Sequence, residues 1–159
     1  MIEEVVRRYS DMLYRLALAK TGNPHDAEDI MQEVFLKLVT CDKVFNDEEH
    51  RKAWLIRVTV NAGKNLAHSA LKQKEVPINE SVEFTDDRSM ERAETKSLVY
   101  PAVMSLDEKY RVMIHLFYYE ELQITDICKV TGLGENTVKS RLHRARKLLR
   151  EKLKEVDFS

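Results

Sequence analysis

The sequence contains few residues that interrupt a helix. Four glycines and three prolines occur among 159 residues, whereas Leu, Glu, Lys, Arg and Ala are common. Glycine and proline are the residues least compatible with a helix interior, so their scarcity leaves long uninterrupted stretches. This composition predicts an all-α protein.

Cysteine and long apolar runs are also scarce. Cys41 and Cys128 stand alone without paired spacing, which predicts reduced thiols in a cytoplasmic chain. No apolar run approaches the roughly 20 residues that span a bilayer. The first 20 residues mix acids, bases and apolar side chains, unlike a signal peptide. We therefore expect a cytoplasmic protein that is not inserted into a membrane.

Motifs of catalysis and metal binding are missing from the sequence. We find no HExxH, CxxC, glycine-rich phosphate loop or nucleophile elbow. The five histidines lie far apart, and no pair of acids is singled out as general acid and base. The sequence therefore predicts no enzymatic activity, no metal, no cofactor and no small-molecule substrate.

Charge is strongly segregated, although the formal net charge is only -1. Residues 23 to 49 carry eight acids and two bases, and residues 51 to 75 carry six bases and one acid. Acids prevail again over residues 76 to 104, and residues 135 to 154 carry eight bases and two acids. Ordinary solvated helices do not need such segregation, which favours charged partners.

Helical periodicity is lost over residues 75 to 88, which carry Pro, Asn, Ser and acids. This predicts two small helical domains, 1–74 and 89–159, joined by a flexible linker at 75–88. Helices are expected at about 2–21, 25–39 and 50–72 in the first domain. In the second, Ser105 and Glu108 of SLDE form a predicted capping box that opens a helix through Tyr119.

The stretch GLGENTVKSRLHRARKLLREKL, residues 132 to 153, follows a short predicted helix and a glycine-containing turn. This order predicts a helix-turn-helix. The predicted buried stripe comprises Val138, Leu142, Ala145 and Leu149. The opposite, DNA-facing side comprises Asn136, Lys139, Ser140, His143, Arg144 and Lys147. Such a helix fits the major groove, and Glu135 either rejects phosphate or accepts from cytosine N4. Three alternatives to DNA binding remain for this helix: it is only solvated, it binds a membrane surface, or it binds an acidic partner.

The stretch DAEDIMQEVFLKL, residues 26 to 38, has two helical stripes. The inward stripe comprises Ala27, Ile30, Met31, Val34, Phe35 and Leu38. The second stripe comprises Asp29, Gln32, Glu33 and Leu36. An acidic stripe suits a basic protein surface better than DNA, whose phosphates repel it. Taken alone, the stripe favours an ordinary solvated face over a docking surface.

The basic stretch at residues 51 to 74 is predicted to bury Leu55, Val58, Ala62 and Leu66. Its polar face comprises Arg57, Asn61, Lys64, Asn65, His68 and Lys72. With Phe45 and Trp54 beside it, this face suits the backbone of a nucleic acid and an unstacked base. Trp54 alone is better explained as a core anchor.

Together, DAEDIMQEVFLKL, AWLIRVTVN (Ala53 to Asn61) and the stretch from Ser105 to Leu149 resemble bacterial RNA polymerase sigma factors of the extracytoplasmic-function group. The resemblance covers nearly the whole chain in order and spacing. It implies that the first domain is sigma region 2 and the second is sigma region 4. It also implies binding to core RNA polymerase and promoter DNA, and control by an anti-sigma factor.

The resemblance also assigns roles to the predicted surfaces. Asp29, Gln32, Glu33 and Leu36 would contact the coiled-coil of the large clamp subunit of polymerase. The polar face of the middle helix, with the loop at 41–49, would capture a flipped base of the -10 element. The last helix would recognise the -35 element. The segment NLAHSALKQK departs from the family, which often has an arginine-rich end there.

Two alternatives remain at this point. A stand-alone helix-turn-helix transcription regulator with an N-terminal sensing domain explains residues 105 to 153 but not the acidic helix. The second alternative is a polymerase-binding protein that has lost promoter recognition, which run-off transcription with Arg144→Ala and Lys139→Ala would test.

Overall fold

The computed structural model describes residues 2–62 and 93–154. The chain divides into two compact units, Met1–Pro77 and Ile78–Ser159. All regular elements in the described ranges are helices, which confirms the predicted all-α class with two small helical domains. The predicted linker at 75–88 lies outside the described residues.

The first unit contains α1 (Ile2–Thr21), α2 (Pro24–Thr40) and α3 (Glu48–Asn61). Asn23 caps α2 by accepting from the backbone N–H of His25 at 2.8 Å, and Pro24 occupies the first turn. Asp47 caps α3 in the same way through the N–H of His50 at 2.7 Å. The predicted extension of α3 to residue 72 lies outside the described residues.

All three helices contribute to the core of the first unit. Its buried side chains are Val5, Tyr9, Leu13, Ala17, Ala27, Ile30, Val34, Leu55 and Ala62. Val58, Met31, Phe35 and Leu38 are partly buried against it, and Leu66 lies outside the described residues. Burial on α3 is wider than one stripe, because α3 packs against both α1 and α2 and also buries Ile56, Thr59 and Val60.

Two polar contacts fix α3 against α1. The Tyr9 hydroxyl donates to Glu48 Oε2 at 2.7 Å, and the Lys20 ammonium donates to the carbonyl of Val60. Burial, followed by the bond to Glu48, raises the pKa of Tyr9. The same bond is the largest cause that lowers the pKa of Glu48. Since the contacts lie at opposite ends of α3, they hold both of its ends.

The second unit contains α4 (Ala93–Met104), α5 (Glu108–Ile114), a π-helix (His115–Tyr119), α6 (Ile124–Thr131) and α7 (Glu135–Lys154). The predicted capping box at Ser105 was wrong. Asp107 is the N-cap of α5 without a side-chain cap bond, and the Ser105 hydroxyl instead donates to the carbonyl of Ala102 at 2.6 Å. Local bonding to the preceding turn competes with capping for a serine.

The helix-turn-helix prediction is confirmed by α6 and α7. Gly132 ends α6 in the left-handed region at φ 76°, and its N–H donates to the carbonyl of Cys128 at 2.9 Å. The four residues predicted to face inward from α7 are all buried: Val138, Leu142, Ala145 and Leu149. Helix α7 packs against α4, α5 and α6, so its orientation is set by the core of this unit.

No helix within residues 2–62 and 93–154 has the length and apolarity of a membrane span.

Candidate functional site

The exposed side of α7 carries five of the six side chains predicted to face DNA. Asn136, His143, Arg144 and Lys147 are exposed, and Lys139 is half-buried. We call these five residues the basic face. Because the opposite stripe of α7 is buried, this side is the one left for a partner.

Ser140 differs from its predicted placement. It is only 6% exposed, unlike the other five side chains predicted to face DNA, and its contact with the -35 element stays a prediction. Helical spacing gives the direction of a side chain around the axis, but it does not show what covers that side chain. We therefore define the basic face without Ser140.

Glu135 begins α7 and forms an ion pair with the basic face. Its Oε1 lies 2.8 Å from Nζ of Lys139, one turn later. The side chains are 59% and 33% exposed, respectively. A carboxylate at this end interacts favourably with the helix dipole. The pair places an acceptor and a donor side by side at the end of α7 nearest the turn.

Helix α2 presents the predicted acidic stripe to solvent. Asp29, Gln32, Glu33 and Leu36 are all exposed, and we call these four residues the acidic face. Its polar contacts are local: His25 Nδ1 lies 3.4 Å from Asp29 Oδ2, and Lys37 forms an ion pair with Glu33 at 3.6 Å. Exposed pairs of this kind contribute little to helix stability, so the two acids can exchange these partners for groups on another molecule at little cost.

Apolar side chains extend the acidic face towards the C-terminal end of α2. Leu36 is 64% exposed, and Val39, one turn later, is 53% exposed. Val44, in the following loop, is 85% exposed. Val39 and Val44 were not predicted from the sequence, although the three-residue step from Leu36 to Val39 was a signal for Val39. Exposed aliphatic groups beside acids are typical of a protein-binding surface.

An aromatic cluster, formed by Phe45, His50 and Trp54, joins the loop before α3 to its first turns. The Phe45 ring centroid lies 5.4 Å from that of Trp54 and 5.3 Å from that of His50. The guanidinium of Arg51 lies 5.3 Å from the Phe45 centroid. Trp54 also packs against the core, which confirms its role as an anchor. His50 and Arg51 were not predicted to belong here.

Farther along α3, Arg57 and Asn61 are exposed one turn apart. They add one cation and one amide to the exposed side of α3 beyond the aromatic cluster. The other four members of the predicted polar face lie outside the described residues: Lys64, Asn65, His68 and Lys72.

One cluster at the start of α2 has metal-ligand chemistry. The ligand atoms of His25, Asp26 and Asp29 lie within 4.8 Å of one another, and all three residues are exposed. The positive end of the helix dipole disfavours a cation at this position, and the contacts of His25 with the two carboxylates account for the arrangement. We therefore assign no metal to it.

Comparison with known proteins identifies two regions of the chain. Residues 5–73 match the model of sigma-70 region 2, and residues 98–149 match that of sigma-70 region 4. The RNA polymerase sigma factor SigV of Bacillus subtilis (strain 168) is 32% identical, over 92% of this chain and 87% of that protein. The ECF RNA polymerase sigma factor SigL of Mycobacterium tuberculosis is 30% identical, over 93% and 86%.

A solved structure shows the same fold. It is the sigma factor RpoE in a co-crystal with the anti-sigma factor NepR from Bartonella quintana. The TM-score is 0.59 at 21% identity, over 98% of both chains.

These matches support the sigma-factor function over a stand-alone helix-turn-helix regulator. A stand-alone regulator does not account for the region 2 match, which covers α1, α2 and α3. The sigma-factor prediction is confirmed: this chain belongs to the extracytoplasmic-function group of bacterial RNA polymerase sigma factors.

Proposed function

We propose that this sigma factor divides its work among three surfaces. The acidic face binds core RNA polymerase, the basic face recognises the -35 element in duplex DNA, and α3 with the aromatic cluster binds the opened -10 element. One observation carries the proposal: an acidic, partly apolar surface lies on one unit and a strongly basic helix surface on the other.

The basic face has the chemistry that duplex recognition requires. Arg144 and Lys147 are exposed cations on one side of a helix that the core holds in place. Arginine and lysine donate to guanine or to phosphate in the major groove, and Asn136 can bond either bases or backbone. Since cationic contacts release counterions from DNA, binding through this face will weaken as salt rises.

The acidic face suits a protein partner. Phosphates repel Asp29 and Glu33, whereas a basic surface attracts them. Leu36 and Val39 add apolar area that a protein can bury. The partner expected from the family resemblance is the coiled-coil of the large clamp subunit.

The aromatic cluster suits a base that has left the stack. Aromatic rings bind unstacked bases by stacking, and nearby cations hold the backbone. Arg57 and Asn61 lie farther along the same helix. Unstacking costs a few kcal/mol. We therefore expect the free protein to bind promoters weakly and to open them only together with polymerase.

Further parts of the proposal rest on the family alone. We infer that the chain acts on cytoplasmic polymerase, has no catalytic role of its own and needs no cofactor. An anti-sigma factor is a proposed partner, since a sigma factor of the same fold was crystallised with one. We keep 1–74 and 89–159 as the proposed limits of the two domains.

Binding to core polymerase tests the acidic face. We expect the variant Asp29→Lys/Glu33→Lys to lose about tenfold or more in affinity, since charge reversal replaces attraction by repulsion. The control is Glu4→Lys, an exposed charge reversal on α1. Equal affinities of the wild-type chain and the double variant would show that polymerase binds elsewhere.

Binding of the holoenzyme to promoter DNA tests the basic face. Arg144→Ala should weaken binding by about 1–3 kcal/mol if the side chain contacts a base. Arg150→Ala, an exposed arginine near the end of α7, should change it less. If both variants bind like wild type, the basic face does not contact the -35 element.

A further inference from the structure

A chain of contacts joins the buried part of α1 to the aromatic cluster. Tyr9, which is 6% exposed, donates its hydroxyl to Glu48 Oε2 at 2.7 Å. The other carboxylate oxygen, Oε1, accepts from the guanidinium of Arg51. That guanidinium lies 5.3 Å from the Phe45 ring centroid. Glu48 therefore links a fixed side chain of the core to the ring in the loop before α3.

Phe45 receives its support from side chains of α3. Residues 41–45 have no regular secondary structure. The rings of His50 and Trp54 meet the Phe45 ring at steep angles, and the Arg51 guanidinium lies over it. A side chain that is ordered before binding loses less entropy when its ligand arrives. The contacts that fix Phe45 in the free chain should therefore strengthen the binding of a base.

Glu48 is the acid in this chain of contacts. The hydrogen bond from Tyr9 is the largest cause that lowers the pKa of Glu48, and the charge of Arg51 lowers it further. Arg8 lies 3.8 Å from Oε2, but its side chain is 60% exposed, so this pair contributes little. The Arg51 side chain is only 21% exposed. The ionic partner of Glu48 that is better shielded from water is thus the guanidinium over Phe45.

The charge of Glu48 needs a reason on a surface that binds nucleic acid. A carboxylate weakens a surface that only binds phosphates, because phosphates repel it. Arginine can pair with a carboxylate through its N–H groups while its plane lies against an aromatic ring. Arg51 makes both contacts, one with Glu48 and one with Phe45. Glu48 therefore fits a role in which it orients Arg51 better than one in which it meets DNA.

We propose that Glu48 is a positioning residue for base capture. Anchored by Tyr9, it holds the Arg51 guanidinium over Phe45, and this keeps the Phe45 ring where the unstacked base of the -10 element binds. The inference rests on the proposed function of the aromatic cluster and adds the residue that orders this cluster before DNA arrives.

This role reverses the effect expected from charge alone. Removing an acid near bound DNA normally strengthens binding, because a repulsive contact with phosphate is lost. Glu48→Gln keeps the size of the side chain and can still accept from Tyr9, but it does not form an ion pair with Arg51. We expect this variant to bind the unstacked base less well, although it carries one negative charge fewer.

Abasic substitution in the -10 element measures base capture separately from contacts with phosphate. Holoenzyme made from core polymerase of the host bacterium and the full chain would bind single-stranded oligonucleotides that carry either strand of the -10 element of a promoter selected by the wild type. One base at a time would be removed while the sugar-phosphate backbone stays. For the wild type we expect the loss of one base to weaken binding by about tenfold, the magnitude of base stacking on an aromatic ring.

Variants along the contact chain assign this penalty. For Glu48→Gln the penalty of the missing base should fall to about twofold or less, since the ring is no longer held in place. Arg51→Met should give the same reduction, and the double variant should lose no more than either single variant, because the two side chains act as one unit. Glu4→Gln, an exposed acid on α1, is the matched control and should keep the wild-type penalty.

Affinity for core polymerase reports whether the first unit is still folded, because the acidic face lies on the same unit. We expect Glu48→Gln and Arg51→Met to bind core polymerase like the wild type. If Glu48→Gln does not bind it, the result with Arg51→Met decides.

The outcomes separate this inference from the proposed function. If either single variant keeps the tenfold penalty, or changes the affinity for intact and abasic strands equally, Glu48 does not position Phe45 through Arg51 and the inference is overturned. If the wild-type holoenzyme binds intact and abasic strands alike at every position, base capture by the aromatic cluster fails, and the inference fails with it.

Discussion

The Leu142→Ala substitution should unfold the second unit at a much lower temperature while leaving the first intact. Leu142 is fully buried in α7, the helix that packs against α4, α5 and α6. Removing such a side chain costs about 3–5 kcal/mol, because the cavity does not collapse completely. A unit of this size is stable by only about 4–12 kcal/mol. At about 4–8 °C per kcal/mol, its midpoint should fall by at least roughly 12 °C.

Two optical signals distinguish the units in this experiment. Trp54 is the only tryptophan of the chain and lies in α3, so its fluorescence reports on the first unit. Far-ultraviolet circular dichroism reports on the helices of both. We expect Leu142→Ala to lose part of its circular dichroism early, whereas the Trp54 transition stays at the wild-type temperature.

The matched control is Leu148→Ala, the same substitution on the same helix at a half-buried position. Its midpoint should fall much less, because fewer contacts are lost. If Leu142→Ala and Leu148→Ala melt within about 3 °C of each other, α7 is not held by the buried stripe. If the Trp54 transition shifts together with the circular dichroism, the units do not have separate cores.

Two further predictions concern the turn before α7 and the contact between α1 and α3. Gly132→Ala should destabilise the second unit by about 1–2 kcal/mol in denaturant unfolding, because Gly132 is left-handed. Gly134→Ala should be close to neutral, because the φ angle of Gly134 is outside the left-handed region and no atom lies within 4 Å of an added Cβ. Equal losses of stability in the two variants would contradict the backbone argument. Tyr9→Phe should lower the melting temperature at pH 7. The difference in melting temperature between wild type and Tyr9→Phe should shrink below pH 4.5, because Glu48 becomes protonated as the pH falls through its lowered pKa. It should also shrink above pH 10.0, because Tyr9 ionises as the pH rises through its raised pKa. A melting-temperature difference that stays constant from acid to alkaline pH would show that the bond between Tyr9 and Glu48 does not cause it.

Helix limits and buried stripes were the features most accessible from the sequence. Asn23 and Pro24 mark the start of α2 within one residue of the prediction, because capping and the fixed φ of proline act locally. The stripe from Val138 to Leu149 is buried as predicted, because its spacing repeats over three turns. Such features depend on neighbours in the chain.

Features that depend on contacts across the fold were missed. The π-helix at His115–Tyr119 lies in the aromatic-rich run HLFYY, whose residues give no periodic signal for a change of helix type. The aromatic cluster needs the loop at Phe45 to turn back onto α3, and residue spacing within a loop does not fix that direction. Burial of Ser140 depends on what covers α7, which helical spacing does not show.

The same distinction applies to the candidate surfaces. The acidic face was identified residue by residue because every member is a neighbour on one helix. Its apolar extension to Val44 was missed because that residue lies in a loop. The Glu135–Lys139 pair has the i, i+4 spacing of a helical ion pair, so the sequence contained the signal although the contact was not predicted.

Run-off transcription measures whether initiation needs both the acidic face and the basic face. Core polymerase would be assayed with the wild-type chain, with Asp29→Lys/Glu33→Lys and with Arg144→Ala, on a promoter selected by the wild-type holoenzyme. We expect specific transcripts with the wild type, many fewer with the double variant at limiting concentrations because its affinity for polymerase is lower, and fewer with Arg144→Ala because promoter binding is weaker. Adding more of the Arg144→Ala variant should not restore wild-type transcript levels when the amount of polymerase is limiting. Undiminished transcription with the double variant, or initiation by core polymerase without the chain, would contradict the proposed function.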